Sequence, residues 1–256
     1  NDVEPIHVDI SLVNSSNQLD INKVRSWQKD FEKAEFILED GKYIVGREVE
    51  KMSKSKHNVV NPDEICDTYG ADTLRMYEMF LGPIEQDKPW NTAGISGVHN
   101  FLKKFWRLFY QKDHFLVIDE EASAESLKVT HQTIKKVTED IERFSFNTCV
   151  SSFMICINEL TALKCSNREV LEPLLVLLSP FAPHFTEELW MRIGNTNSIA
   201  FEPFPKFDPS KLEEKVKEYP VSFNGRMRFT LKLSLELTIE QIKKEVMNEE
   251  KTLSQL

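Results

Sequence analysis

Lys51-Met52-Ser53-Lys54-Ser55, continued by Lys56 and His57, places three lysines and two hydroxyls within six residues. None of these side chains is bulky and branched. Ammonium groups neutralise phosphate oxygens as point donors, and serine hydroxyls with loop N–H groups complete a polyphosphate cradle. Residue types alone leave a second possibility open, a solvated charged loop that holds nothing.

Such a loop needs a rigid mount. Ahead of it, Glu35-Phe36-Ile37-Leu38 and Tyr43-Ile44-Val45 flank Asp40-Gly41, which predicts a β-hairpin because both turn residues tolerate positive φ. Behind it, Asn61-Pro62-Asp63-Glu64 supplies an N-cap, a proline for the first helical position and an acidic first turn. That helix ends near Tyr69-Gly70. A second follows with Ala71, Leu74, Tyr77 and Phe80 on one side, and with Asp72 and Arg75 spaced as an ordinary surface pair. Upstream, Val8, Ile10 and Leu12 alternate with polar residues and predict a strand that leaves His7 on its surface. Residues 14–34 are polar, with Trp27 and Phe31 spaced for one short helix face.

From Gly94 to Ile193 the apolar period is helical. One stripe is Ile95, Val98, Leu102, Phe105 and Phe109, with Lys103, Lys104 and Arg107 off it as a candidate RNA-binding face. Further stripes run through Leu127, Ile134, Val137 and Ile141, then Val150, Phe153, Ile157 and Leu160, then Val170, Leu171, Leu174, Leu175 and Leu178. A last one carries Phe185, Leu189, Trp190 and Ile193. Four or five such helices with short loops make a bundle. His184 has no nucleophile or acid partner nearby in sequence and reads as a helix-start residue. Asn195 to Pro220 is a proline-rich linker that Phe201, Phe204 and Phe207 can pin to the bundle. The period then becomes two: Val221 and Phe223, the turn Asn224-Gly225, then Met227, Phe229, Leu231 and Leu233. Arg226 and Arg228 lie opposite that apolar row, free to meet phosphate or solvent. Thr238 and Gln241 form a capping box for a final helix.

The expected fold is therefore mainly α with small β elements. A helical bundle is flanked by a hairpin-mounted loop segment and by part of a small α/β domain. Boundaries fall at 1–92, 93–195, 196–219 and 220–256.

The chain has 256 residues, 41% apolar and 10% aromatic, enough for a sizeable core. Net charge is −9, which excludes a uniformly basic nucleic-acid coat but permits a local basic face. Cys66, Cys149, Cys156 and Cys165 include no C-x₂-C pair. They predict reduced core thiols in a cytoplasmic protein and neither zinc nor another metal held by this segment. No apolar run of 18 residues exists, so no membrane span is expected. Asn1-Asp2-Val3-Glu4 is no signal peptide and lacks an initiator Met, so a piece of a longer protein is expected.

The wording adds a family. KMSKS at 51–55, Lys56-His57-Asn58-Val59-Val60-Asn61-Pro62, Tyr69-Gly70-Ala71-Asp72-Thr73-Leu74-Arg75, Met79-Phe80-Leu81-Gly82-Pro83 and Trp90 resemble the leucyl-tRNA synthetases of class Ia. Phe144-Ser145-Phe146-Asn147-Thr148 and Leu177 to His184 resemble the anticodon-binding helical domain of that class. Val221 to Arg228 resembles the start of a C-terminal tRNA-binding domain. The isoleucyl and valyl relatives are the runners-up, and Lys56 after the motif weighs against them. The resemblance implies a monomeric ligase that activates leucine with ATP and magnesium and transfers it to tRNA(Leu). It implies phosphate contacts from Lys54 first and Lys51 second, with Met52, Ser53 and Ser55 shaping the ATP-binding loop. A noncatalytic tRNA-binding module is the other class the residues allow.

The partner motif of the His-Ile-Gly-His type is not in these residues, nor is an editing domain. The 256-residue chain alone is accordingly expected to catalyse no leucine-dependent ATP–pyrophosphate exchange, and clear exchange in that assay would refute the expectation.

Overall fold

A computed structural model describes residues 5–14, 16–212, 216–235 and 237–253. Asn1–Glu4 lie outside them.

The N-terminal part is built from short turns. Ile10–Leu12 is a turn of 3₁₀ helix, not the predicted strand. The Asp9 carboxylate accepts from Ser11 N–H at 2.9 Å and from its hydroxyl at 2.7 Å, and such local bonds compete with strand pairing. α1 (Ile21–Trp27) is capped by Asp20, and Trp27 stacks on Phe31 at 6.2 Å. The predicted 35–45 hairpin is reduced to its turn. Asp40 (φ 48°) and Gly41 (φ 75°) adopt the expected left-handed pair, but only Glu39 and Lys42 bridge across them. The following residues pair with an earlier segment instead. Leu19 N–H donates to Tyr43 C=O at 3.0 Å, and Val45 N–H donates to Asn17 C=O at 2.9 Å.

After the lysine loop, α2 (Pro62–Tyr69) starts as predicted, with Asn61 Oδ1 accepting from Asp63 N–H at 3.0 Å. Gly70 at φ 88° turns the chain straight into α3 (Ala71–Phe80). α4 (Thr92–Phe109) packs close to α3. A Cβ on Gly94 would lie 2.8 Å from the Tyr77 hydroxyl oxygen, and that hydroxyl donates to Asn91 C=O. Glycine is required there by proximity. Strands β1 (Tyr110–Gln111) and β2 (His114–Phe115) form a minimal hairpin after α4.

α5 (Ala124–Glu142), α6 (Phe146–Ala162), α7 (Arg168–Leu178) and α8 (Pro183–Arg192) complete the bundle. Their predicted stripes meet in one core. Phe105, Phe109, Ile134, Val150, Ile157, Leu160, Leu171, Leu174 and Leu178 are essentially fully buried. Each contributes about 1.5–3 kcal/mol of apolar transfer. α5 packs on α6 and α7, and α8 packs on α7 and α3. Pro173 sits inside α7. Cys149, Cys156 and Cys165 are buried free thiols. Burial pushes Cys149 up to about 11 and Cys156 up to about 12, so both stay protonated. Among the described residues no helix is long and apolar enough to cross a membrane.

The linker is pinned by one of its three phenylalanines. Phe207 packs on the core beneath Lys135, whose ammonium lies 5.6 Å from the ring centroid, whereas Phe201 is 88% exposed and Phe204 is 41% exposed. β3 (Val216–Phe223) and β4 (Arg226–Ser234) then pair antiparallel around Asn224 (φ 50°) and Gly225 (φ 77°), with a bulge between Val221 and Ser222. α9 (Ile239–Asn248) begins with the predicted Thr238–Gln241 capping box, and α10 (Glu250–Leu253) follows.

His131 on α5 holds the linker by accepting the Asp208 N–H at Nδ1, 3.1 Å away. Burial pushes its pKa down, against a smaller opposing effect of Asp208. The unfolded chain therefore takes up this proton before the folded chain does. Stability from this site is complete above the ordinary histidine value, about 6.5, and declines as pH falls below it. Hydrogen exchange of the 204–212 segment, corrected for intrinsic rate, should be faster at pH 5.5 than at pH 7.5. His131→Asn, a neutral acceptor, should remove most of that difference.

Candidate functional site

Residues 50–58 form a loop with two populations of charge. Lys54–Lys56 makes one turn of 3₁₀ helix, closed by His57 at φ 52° with its N–H on Lys54 C=O. A non-glycine residue in this left-handed region is uncommon and marks a constrained position. His57 is held there from two sides. Its carbonyl accepts from Ile10 N–H at 3.0 Å, and its ring meets Trp27 edge-on at 4.8 Å.

Asn58 clasps the start of the motif. Its Oδ1 accepts from Ser53 N–H at 2.8 Å, and its Nδ2 donates to Lys51 C=O at 3.4 Å. The Ser53 and Ser55 hydroxyls are 3.2 Å apart, so they share one hydrogen bond and leave lone pairs and a proton for a ligand. Lys56 is committed: its ammonium lies 2.8 Å from Glu50, whose other carboxylate oxygen is 2.9 Å from His7 Nε2. Lys56 and His7 hold the Glu50 carboxyl below its ordinary range. Lys51 and Lys54 are exposed, and among the described residues no ion pair engages either of them. Met52 is 43% exposed. The arrangement can present two mobile ammoniums and two hydroxyls to an anion on a framework tied elsewhere.

The loop is linked to the bundle through α2 and α3, and Asp72 makes the joint. The sequence reads Asp72 and Arg75 as a surface pair. The structure corrects this: Asp72 is only 7% exposed. One of its oxygens takes Arg75 Nη1 at 2.6 Å and His184 Nδ1 at 3.0 Å, and the other takes Phe185 N–H at 2.7 Å. A carboxylate only accepts, so His184 Nδ1 carries the proton. α8 has no capping side chain of its own, because Ala182 occupies that position. Asp72 supplies the missing cap from another helix. His184 is thus a helix-start residue, as its sequence position predicts.

The other predicted contacts divide. Lys103 and Arg107 are exposed one turn apart on α4, whereas Lys104 turns to Asn158 of α6 at 2.6 Å. Arg226 and Arg228 stand exposed on β4. Asn58, Glu50 and the structural role of Asp72 were not read from the sequence. Only Asn58 carried a signal, since asparagine beside a turn commonly bonds nearby backbone. Glu50 and Asp72 act on partners distant in sequence.

Residues 36–91 match the family described as tRNA synthetases class I (I, L, M and V), and residues 124–245 match the anticodon-binding domain of tRNA ligase. The chain is 66% identical over 256 residues to the leucine–tRNA ligase of Christiangramia forsetii and 60% identical over 255 residues to that of Flavobacterium johnsoniae. These alignments cover 100% and 99% of the chain, but 27% of each relative's length. A leucyl-tRNA synthetase of Agrobacterium radiobacter, crystallised as a ternary complex with tRNA and LeuAMS, superposes with a TM-score of 0.57 at 29% identity. It covers 80% of this chain, which corresponds to 29% of the solved one.

Asp72→Ala should lower unfolding stability by about 2–3 kcal/mol, because a buried N–H and an arginine lose a charged acceptor together. Urea unfolding checks this, and a loss below about 0.5 kcal/mol would return Asp72 to the status of a surface residue. The two family matches, the shared fold and the identity along the whole chain give one conclusion: the chain belongs to the leucyl-tRNA synthetase family of class I aminoacyl-tRNA synthetases.

Proposed function

We propose that this chain works as part of a leucine–tRNA ligase, which forms leucyl-adenylate from leucine and ATP and passes the leucyl group to tRNA(Leu). The 51–55 loop is its ATP-phosphate grip, and the helical bundle is a tRNA-binding platform. One observation carries the reading. Among the described residues no ion pair engages Lys51 or Lys54, whereas Lys56 and Glu50 of the same loop pair with each other and His7 bonds Glu50 from outside it.

In the first step a leucine carboxylate oxygen attacks the α-phosphorus of ATP, and the bond to the bridging oxygen of pyrophosphate breaks. Negative charge grows on the departing pyrophosphate. Lysines that approach as that charge develops stabilise the transition state more than the ground state, which is what lowers the barrier. Lys54 sits in the 3₁₀ turn and takes the main phosphate contact, and Lys51 takes the second. Ser53 and Ser55 donate locally, and Met52 spaces the two lysines.

Magnesium, which this class of reaction uses, would share the phosphate charge. Among the described residues no cluster of three metal-ligating side chains exists, and Glu50 is already held by Lys56 and His7. The tRNA contacts proposed on the bundle are Lys103 and Arg107, with Lys104 secondary and Arg226 and Arg228 on the hairpin.

In the full-length protein, Lys54→Ala should reduce leucine-dependent ATP–pyrophosphate exchange about 10²-fold in kcat, the usual effect of removing one charge-stabilising donor. Lys56→Ala should cost only a few-fold, ~3-fold, because an exposed ion pair contributes little. The reverse order of severity would show that the phosphates are held elsewhere.

A further inference from the structure

One hollow of the molecule lies away from the lysine loop. It has a volume of about 440 Å³ and opens where the α2–α3 junction, the middle of α4 and the start of α8 converge. Tyr69 and His99 line one part, Trp106 and Phe185 another, and Lys103 and His184 belong to the same lining. Its walls are mostly apolar carbon. Lys103 is exposed, and the His184 side chain is 75% exposed. Asp72 also lines it, but its carboxylate is already engaged by Arg75, His184 and the Phe185 N–H. It therefore does not confront a ligand as a bare anion.

Trp106 is the informative residue. It is only partly buried although its ring is fixed by three neighbours. Tyr110 stacks on it at 5.5 Å and 20°, Phe185 meets it at 6.0 Å and 60°, and the Arg192 guanidinium lies 5.4 Å from its centroid. Tyr110 and Arg192 do not line the hollow. An indole immobilised by its surroundings yet partly open to a cavity is a pre-organised stacking surface. Tyr69 and His99, edge to face at 5.5 Å, complete an aromatic enclosure. The helix behind it is also distinctive in charge. α4 carries Lys103, Lys104 and Arg107 and no acidic residue over 18 positions, in a chain of net charge −9.

Flat aromatic walls with a cation at the rim suit a nucleobase and its phosphate. We infer that this hollow receives one unpaired base of a bound RNA, stacked on Trp106, with the adjoining phosphate at Lys103. The inference rests on the reading of this protein as one that handles tRNA, and it adds a base-binding pocket to a helix face otherwise suited only to backbone phosphates. An apolar side chain of a partner protein would fill the same walls but would have no use for Lys103.

The test uses the full-length protein and a tRNA(Leu) transcript. Binding affinity is measured across a salt series, and chemical probing reports the unpaired bases. Trp106→Leu should weaken binding about 5- to 50-fold and expose one base that the unaltered protein protects, and Trp106→Phe should restore binding to within about 3-fold. Lys103→Gln, at an exposed position that cannot disturb the core, should lower the salt slope by about one phosphate contact. If Trp106→Leu melts early, Trp106→Phe and Lys103→Gln decide. Unchanged affinity and protection in Trp106→Leu, or an unchanged salt slope in Lys103→Gln, would overturn the pocket alone. An unaltered protein that fails to bind tRNA(Leu) even at low salt would remove the ligase reading and the pocket with it.

Discussion

The joint between the lysine loop and the helical bundle turns on a carboxylate that is almost out of water. Asp72 on α3 gathers three partners from two helices: Arg75 of its own helix, and the His184 ring and the Phe185 N–H in the first turn of α8. A buried charge is tolerated only when its lone pairs are satisfied, and here they are. The consequence is mechanical. The loop leads through Asn61 into α2, Gly70 passes α2 directly into α3, and Asp72 fixes α3 to the bundle at α8. The joint is reinforced by the close approach of Gly94 to Tyr77, which locks α3 against α4.

Within the loop the division of labour is electrostatic. Glu50 neutralises Lys56 and orients His7, and Asn58 fixes the backbone from Lys51 to Ser53 without touching a charge. Restraint thus falls on the backbone and on the charges that flank the motif, while Lys51 and Lys54 stay exposed. Had Glu50 paired with Lys54, an incoming phosphate would first have had to break that pair. A structural loop would be expected to satisfy its lysines internally; among the described residues this one pairs Lys56 and neither Lys51 nor Lys54.

Much of this was legible in the sequence where the cause is local. The α4 stripe of Ile95, Val98, Leu102, Phe105 and Phe109 is buried as read, because helical periodicity reports the face directed at the core. Asn224-Gly225 and Thr238–Gln241 also behaved as their side-chain chemistry dictates. Where the cause is distant, the reading failed. Asp40-Gly41 made its turn, but the strands did not follow, because residues 43–45 found better partners at 17–19. Val8, Ile10 and Leu12 alternate as a strand does, yet Asp9 captures the backbone first. Asp72 looked like one half of a surface pair because its other partners lie 112 and 113 residues away. The lysines were found by their spelling; the residues that hold them in place, Asn58 and Glu50, were not.

Net charge misleads in the same way, since it averages over faces that never act together. The acidic groups of 119–121 gather with Glu169 and Glu172 around Arg168, which bonds Asp119 at 2.5 Å and whose pKa Asp119 and then Glu172 raise. That cluster tightens the entry to α7 and faces its own cation. α4, by contrast, has no acid along its length to quench Lys103 and Arg107. Screening at physiological salt confines each patch to roughly 8 Å of influence. An approaching polyanion therefore responds to the helix beneath it and hardly at all to the excess of carboxylates elsewhere. An acidic protein can hold RNA on such a face, provided the acids are kept off one helix, and in this chain they are.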